Sequence, residues 1–167
     1  MGDHTEAITI DYDPKLLSYD DLLGYFWRGH RCSSVNSSRQ YRNAVFYRND
    51  EQRRLAEASR ALEANRLGIA ADKVTSDIVA MGTFTYAEGY HQKYYLGRHD
   101  DIRKFLNTKY PTSKALADST VAMRLNAYLG SGMRLNWKAF LEEMPSYGLP
   151  EQITMTLSQV AERSLKR

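Results

Sequence analysis

The sequence predicts an α+β fold, and three observations carry that prediction. A period-two stretch, "EAITIDY", lies close to the start, and two further short strand-like runs, "NAVFY" and "VTSDIVA", follow it. Helical-period stripes separate these three segments. From about Asp100 to the end the pattern is helical throughout. The order is βαβαβ followed by helices, an α+β core with a helical C-terminal part. At 167 residues and 43% hydrophobic, the chain is long enough to bury a substantial core.

In "EAITIDY", Glu6, Ile8, Ile10 and Tyr12 share one face of a strand, which "DP" at Asp13–Pro14 stops. Ser18 caps the first helix, with Asp21 three residues on. Its stripe is Tyr19, Leu22, Leu23, Phe26, Trp27 and His30, with Tyr25 off it. "RCSSVNSSR" reads as a polar loop, and Asn43 to Tyr47 as the second strand. Asn49 or Asp50 caps a helix to about Leu67, with Leu55, Ala58 and Leu62 on one side. "GIAADK" is a turn region before the third strand. "TYAEGYHQKYYLG" reads as a loop into a short helix ending at Gly97. Helices then stop at Pro111, Gly130 and Pro145, and a last one starts with Pro150 at its first position.

Composition narrows the function classes. The net charge is +3, with Lys and Arg interleaved with acids rather than clustered, which argues against nucleic-acid binding. No run approaches the roughly 18 apolar residues of a membrane span, and the first residues lack a basic, then apolar, secretory pattern. A cytoplasmic or organellar location is therefore expected, any targeting peptide lying upstream. A single cysteine makes no internal disulfide and no multi-cysteine metal site, and no histidine pair has metal-ligand spacing. No metal is expected.

Three places carry candidate chemistry. Glu6 shares a face with apolar residues; a desolvated carboxylate there would serve as a general acid, whereas at a strand end it would simply reach water. Cys32 lies near Arg28 and Arg31, whose charge favours a thiolate, but it follows a helix C-terminus, which disfavours one. "YAEGYHQ" gathers Tyr86, Glu88, Tyr90, His91 and Gln92. With Tyr94, the tyrosines at four-residue spacing form either a phenol-bearing helix side or a packed aromatic stripe.

Four segments in order, "GDHTEAITIDYDP", "SYDDLLGYFWRGH", "QYRNAVFYRNDEQ" and "FTYAEGYHQKYY", resemble peptide methionine sulfoxide reductase A, the family specific for the S epimer of methionine sulfoxide. The resemblance spans about Gly2 to Leu96. It implies a ferredoxin-like core over residues 1–98, incomplete at its N-terminus, with a helical C-terminal extension, 99–167, packed on it. In the family's reaction a cysteine thiolate attacks the sulfoxide sulfur, and a carboxylic acid protonates the departing oxygen. The resulting sulfenic acid passes to a disulfide that thioredoxin or another thiol reductant reduces.

By this resemblance Glu6 is the general acid and Tyr41 a phenol donating to the sulfoxide oxygen. Asn36, Tyr90 and His91 belong to substrate binding. "LLGYFWRGH" matches the family's second-helix segment and not its "GCFW" nucleophile segment, which belongs upstream of "GDHTE". The chain is thus expected to lack the nucleophile and to be incomplete or inactive as given. Cys32 matches no family cysteine and is the only thiol that could stand in. The expected partners are oxidised methionine in proteins or peptides and, if active, thioredoxin, with no bound cofactor, no nucleic acid and no membrane. The alternative is a non-catalytic binding or interaction module.

Overall fold

Ser18 opens the first helix by a capping box. The Asp21 N–H donates to Ser18 Oγ (3.1 Å) and the Ser18 N–H donates to Asp21 Oδ2 (3.0 Å), satisfying two groups that the helix itself cannot pair. Helix α1 spans Tyr19–Arg28 and buries Leu23 and Trp27. Tyr25 is exposed, as its place off the stripe predicts. The structure, a computed structural model, describes residues 4–35, 38–130 and 136–166. It confirms an α+β chain with a helical C-terminal part.

Two compact units make up the chain, Met1–Phe84 and Thr85–Arg167. In the first, strand β1 (Ala44–Tyr47), helix α2 (Asp50–Leu67) and strand β2 (Asp77–Ala80) form a βαβ unit. The strands pair in parallel, Ala44 with Asp77 through Tyr47 with Ala80. A parallel pair needs a long crossover, and α2 provides it. Asn49 caps α2 by accepting the Gln52 N–H (2.9 Å). Gly68 ends it at φ +65°, a left-handed conformation that favours glycine. The core holds Leu23, Trp27, Cys32, Ala56, Ala64 and Val74. The Trp27 indole N–H donates to Ser59 Oγ (2.9 Å), so its polar edge is satisfied while its ring is buried.

The second unit contains helices α3 (Asp100–Lys109), α4 (Ser113–Asp118), α5 (Thr120–Gly130), α6 (Trp137–Glu143) and α7 (Glu151–Leu165). Leu96, Leu106, Leu125, Phe140 and Leu157 are its largest fully buried side chains. The Phe140 ring stacks at a tilt on Tyr128 (4.3 Å between centroids) and meets Trp137 edge-on (5.7 Å).

The structure departs from the sequence pattern in five places. Glu6–Tyr12 forms no strand: among the described residues nothing ladders with it, and Ile8 and Ile10 are exposed. Alternation specifies a strand only when a neighbour supplies the hydrogen bonds. On α2 the buried face is Ala56, Glu63 and Ala64, whereas Leu62 is exposed. Alanines let a helix approach its neighbours closely, and that decides its rotation against the weak leucine pattern. The residues around Tyr86, Tyr90 and Tyr94 form turns and a short 3-10 segment, Leu96–Arg98, with no α-helix. The predicted helix from Ser113 to Gly130 is two, because Ser119 is extended and its Oγ accepts the Ala122 N–H (3.1 Å), restarting the helix. Pro150 stands at the cap of α7 rather than inside it.

Candidate functional site

In the first unit the segment carrying Thr5 and Glu6 is stitched onto the 3-10 turn Arg39–Tyr41. The Glu6 N–H donates to the Gln40 carbonyl (2.9 Å), and the Gln40 side-chain amide returns a bond to Glu6 Oε1 (2.8 Å). Thr5 Oγ1 donates to the Arg39 carbonyl (3.0 Å) and accepts from Arg42 Nε (3.0 Å). Arg42 continues to Asp77 Oδ2 (3.0 Å) at the start of β2, so a carboxylate on the sheet holds the cluster. Four hydrogen bonds and one ion pair thus bring Glu6 to the turn that bears Tyr41.

Glu6 is solvent-exposed, and Tyr41 is 55% exposed. This geometry is the water-reaching alternative for Glu6, not a carboxyl sealed in an apolar pocket. Both groups are open to a ligand from solvent: a carboxyl oriented by an amide, and a phenol on the adjoining turn. The alternation pattern singled out Glu6 and the family resemblance Tyr41, but neither singled out Gln40, Arg42 or Thr5. Their roles rest on contacts between the segments "HTE" and "QYR", which are distant in sequence, and no local pattern reveals such contacts.

Cys32 lies elsewhere in this unit. It is 2% exposed and packs in the core with Leu23, Trp27, Ala56, Ala64 and Val74. Its carbonyl accepts from the Thr75 N–H (2.8 Å) and Thr75 Oγ1 (3.0 Å), which pins the loop inward. A thiol in such surroundings is shielded from both substrate and reductant. Nearby, His30 ties the end of α1 to the approach to β2 through the Phe26 carbonyl (2.8 Å) and Ser76 Oγ (2.7 Å). The Arg66 guanidinium holds the buried Glu63 carboxyl below the usual carboxylate range, through a charged bond of 2.6 Å to Oε1. Asn36 lies outside the described residues.

Tyr90 and His91 belong to the second unit and are both exposed. Their rings lie 4.3 Å apart, and His91 Nε2 is 4.0 Å from Glu88 Oε2. Tyr86 donates to Asp118 Oδ1 (2.9 Å), and Asp118 also pairs with Lys114. Those two bonds hold the Asp118 carboxyl below its ordinary range. Burial lowers Lys93 from the usual lysine range. Among the described residues, no group of three or more His, Cys, Asp or Glu side chains could hold a metal ion. No helix among them is long and apolar enough to cross a membrane.

The family model described as peptide methionine sulfoxide reductase matches residues 1–122. A peptide methionine sulfoxide reductase of Drosophila melanogaster is 40% identical over 86% of this chain and 57% of its own length. Peptide methionine sulfoxide reductase A5 of Arabidopsis thaliana is 33% identical over 77% of this chain and 51% of its own. An archaeal relative, from Methanothermobacter thermautotrophicus, is 40% identical over 54% of this chain and 56% of its own. The likeness to the fly protein extends past residue 122 and into the helical part. The chain spans about half the length of these curated relatives. The matched segment includes the Thr5–Glu6 arm, the Arg39–Tyr41 turn and the Tyr90–His91 turn, and it places this chain in the peptide methionine sulfoxide reductase family.

Proposed function

We propose that this chain takes part in reducing methionine-S-sulfoxide in proteins or peptides to methionine, with thioredoxin or another thiol as electron donor. The observation that carries the proposal is the hydrogen-bonded cluster that presents Glu6 beside the Tyr41 turn. Family membership supplies the reaction. A thiolate attacks the sulfoxide sulfur, the oxygen is protonated and passes from the methionine sulfur to the cysteine sulfur, and methionine leaves as the thiol becomes a sulfenic acid. By the resemblance Glu6 is assigned the proton that the departing oxygen takes up, a role that calls for its carboxyl to be closed off from the water it reaches here, and the Tyr41 hydroxyl is assigned a hydrogen bond to that oxygen.

The attacking thiolate is not Cys32. Its burial among apolar side chains supports this, and it is the single cysteine of these 167 residues. By themselves, therefore, these residues bind the sulfoxide without turning it over. That behaviour also fits the second reading, a non-catalytic binding module.

The test pairs binding with turnover. Calorimetric titration of a methionine-S-sulfoxide peptide, with the methionine peptide as control, is expected to show a preference for the sulfoxide. Glu6→Gln and Tyr41→Phe should each weaken that preference. Excess dithiothreitol should yield no turnover with the chain or with Cys32→Ala. Equal binding of both peptides would refute the assigned roles of Glu6 and Tyr41. Turnover that disappears in a folded Cys32→Ala variant would restore Cys32 as the nucleophile.

A further inference from the structure

We infer that a cavity in the helical unit, between α3, the start of α5 and the turn after α6, is a binding site for a small hydrophobic carboxylate. This site is separate from the sulfoxide chemistry and does not rest on it. The cavity holds about 360 Å³, enough for one ring-bearing group. Leu106, 1% exposed, lines it together with Phe105, Val121, Tyr110 and Tyr147. Gly148, in the left-handed conformation at φ +62°, leaves part of the rim without a side chain.

Charge selects the ligand. Among the described residues, Lys109 is the one charged residue lining this cavity. Its Nζ lies 5.9 Å from the Phe105 ring centroid, and among the described residues it makes no ion pair. Glu143, which holds the Tyr147 wall of the cavity, is already committed. It accepts the Tyr147 phenol at Oε2 (2.8 Å) and pairs with Arg124 (2.9 Å). That bond and burial together push the Tyr147 phenol up, so it stays a neutral wall of the cavity. Among the described residues the cavity therefore offers apolar surface and one ammonium that is in no ion pair, which suits an aryl or branched alkyl group ending in a carboxylate. A second cavity of about 390 Å³ carries His99, Asp100, Asp101 and Lys104, and its mixed charges select nothing comparable.

The carboxylate could be a free acid or the C-terminus of a peptide ending in an apolar residue. NMR titration of the full isotope-labelled chain separates these cases. The probes are 3-phenylpropionate, the neutral 3-phenylpropanol, and N-acetylglycylphenylalanine. Saturable shifts are expected at the amides of Phe105 to Tyr110, Val121, Tyr147 and Gly148, with either carboxylate binding more tightly than the alcohol. The tighter of the two carboxylates identifies the source. Lys109→Met, at an exposed position, should weaken carboxylate binding about three- to tenfold and leave the alcohol unchanged. Val121→Trp, with the fold checked by its unfolding midpoint, should abolish all three. Shifts that do not saturate, shifts centred elsewhere, or an alcohol that binds as well as the acids would overturn the assignment.

Discussion

Replacing Cys32 by serine exchanges one atom and tests whether the thiol is part of the core or part of the chemistry. The side chain is 2% exposed and touches an apolar cluster of Leu23, Trp27, Ala56, Ala64 and Val74. A hydroxyl placed there without a partner costs about 1–3 kcal/mol. Alanine removes a group the size of a methyl and leaves a small void, costing about 1 kcal/mol. Serine is therefore expected to destabilise at least as much as alanine, the reverse of what an exposed polar loop would give. Urea unfolding followed by Trp fluorescence reads both values. Thiol labelling by an aromatic disulfide gives an independent check, because a buried thiol reacts only when the structure opens. An opening free energy of about 3 kcal/mol slows labelling roughly a hundredfold relative to the denatured chain. Labelling in native buffer as fast as in denaturant, together with a serine variant as stable as the wild type, would refute the burial argument.

Other expectations are as direct. Gly130→Ala puts a Cβ into the Tyr95 ring, close to its backbone end, and should cost about 1–3 kcal/mol in urea unfolding. His30→Ala leaves Ser76, 3% exposed, without its ring partner and should lower stability by about 1–3 kcal/mol, where an exposed histidine would show almost nothing. Glu63 is held below its ordinary value of 4.5, so its contribution is present above that pH and is lost as the pH falls through its lower, folded value. The wild type should therefore lose more stability than Glu63→Gln between neutral and acidic pH, as read from urea midpoints. Equal acid slopes would show that the Arg66 contact contributes nothing. Gln40→Ala removes the donor that orients the Glu6 carboxylate and should loosen sulfoxide-peptide binding, with little change in the unfolding midpoint because the contact is exposed.

Much of the fold could be read from local patterns because local physics decided it. The Ser18–Asp21 box, the Asn49 cap and the stripe through Leu23 and Trp27 each form within a few residues of sequence. Three of the failures share one cause: the outcome depended on groups far along the chain. The alternation of Glu6 to Tyr12 predicted a strand, but it formed no ladder with any described segment. The loop around Cys32 looked polar, yet Thr75 draws its backbone inward. The α2 stripe through Leu62 lost to the close approach that Ala56 and Ala64 permit. For the candidate site, Glu6 and Tyr41 were evident from motif resemblance. Gln40, Arg42 and Asp77, which hold them, required the folded chain.

The parallel pairing of β1 with β2 also bears on how this unit is expected to assemble. Neither strand can find its partner until the chain between them has shortened, and an extended crossover would leave the ends of the ladder too far apart to meet cheaply. Coiling Asp50 to Leu67 into α2 provides that shortening with local contacts alone. The helix is thus the step that makes the sheet kinetically reachable. Substitutions that weaken α2 on its exposed face are therefore expected to slow refolding in stopped-flow measurements, although that stretch bears none of the groups assigned to chemistry.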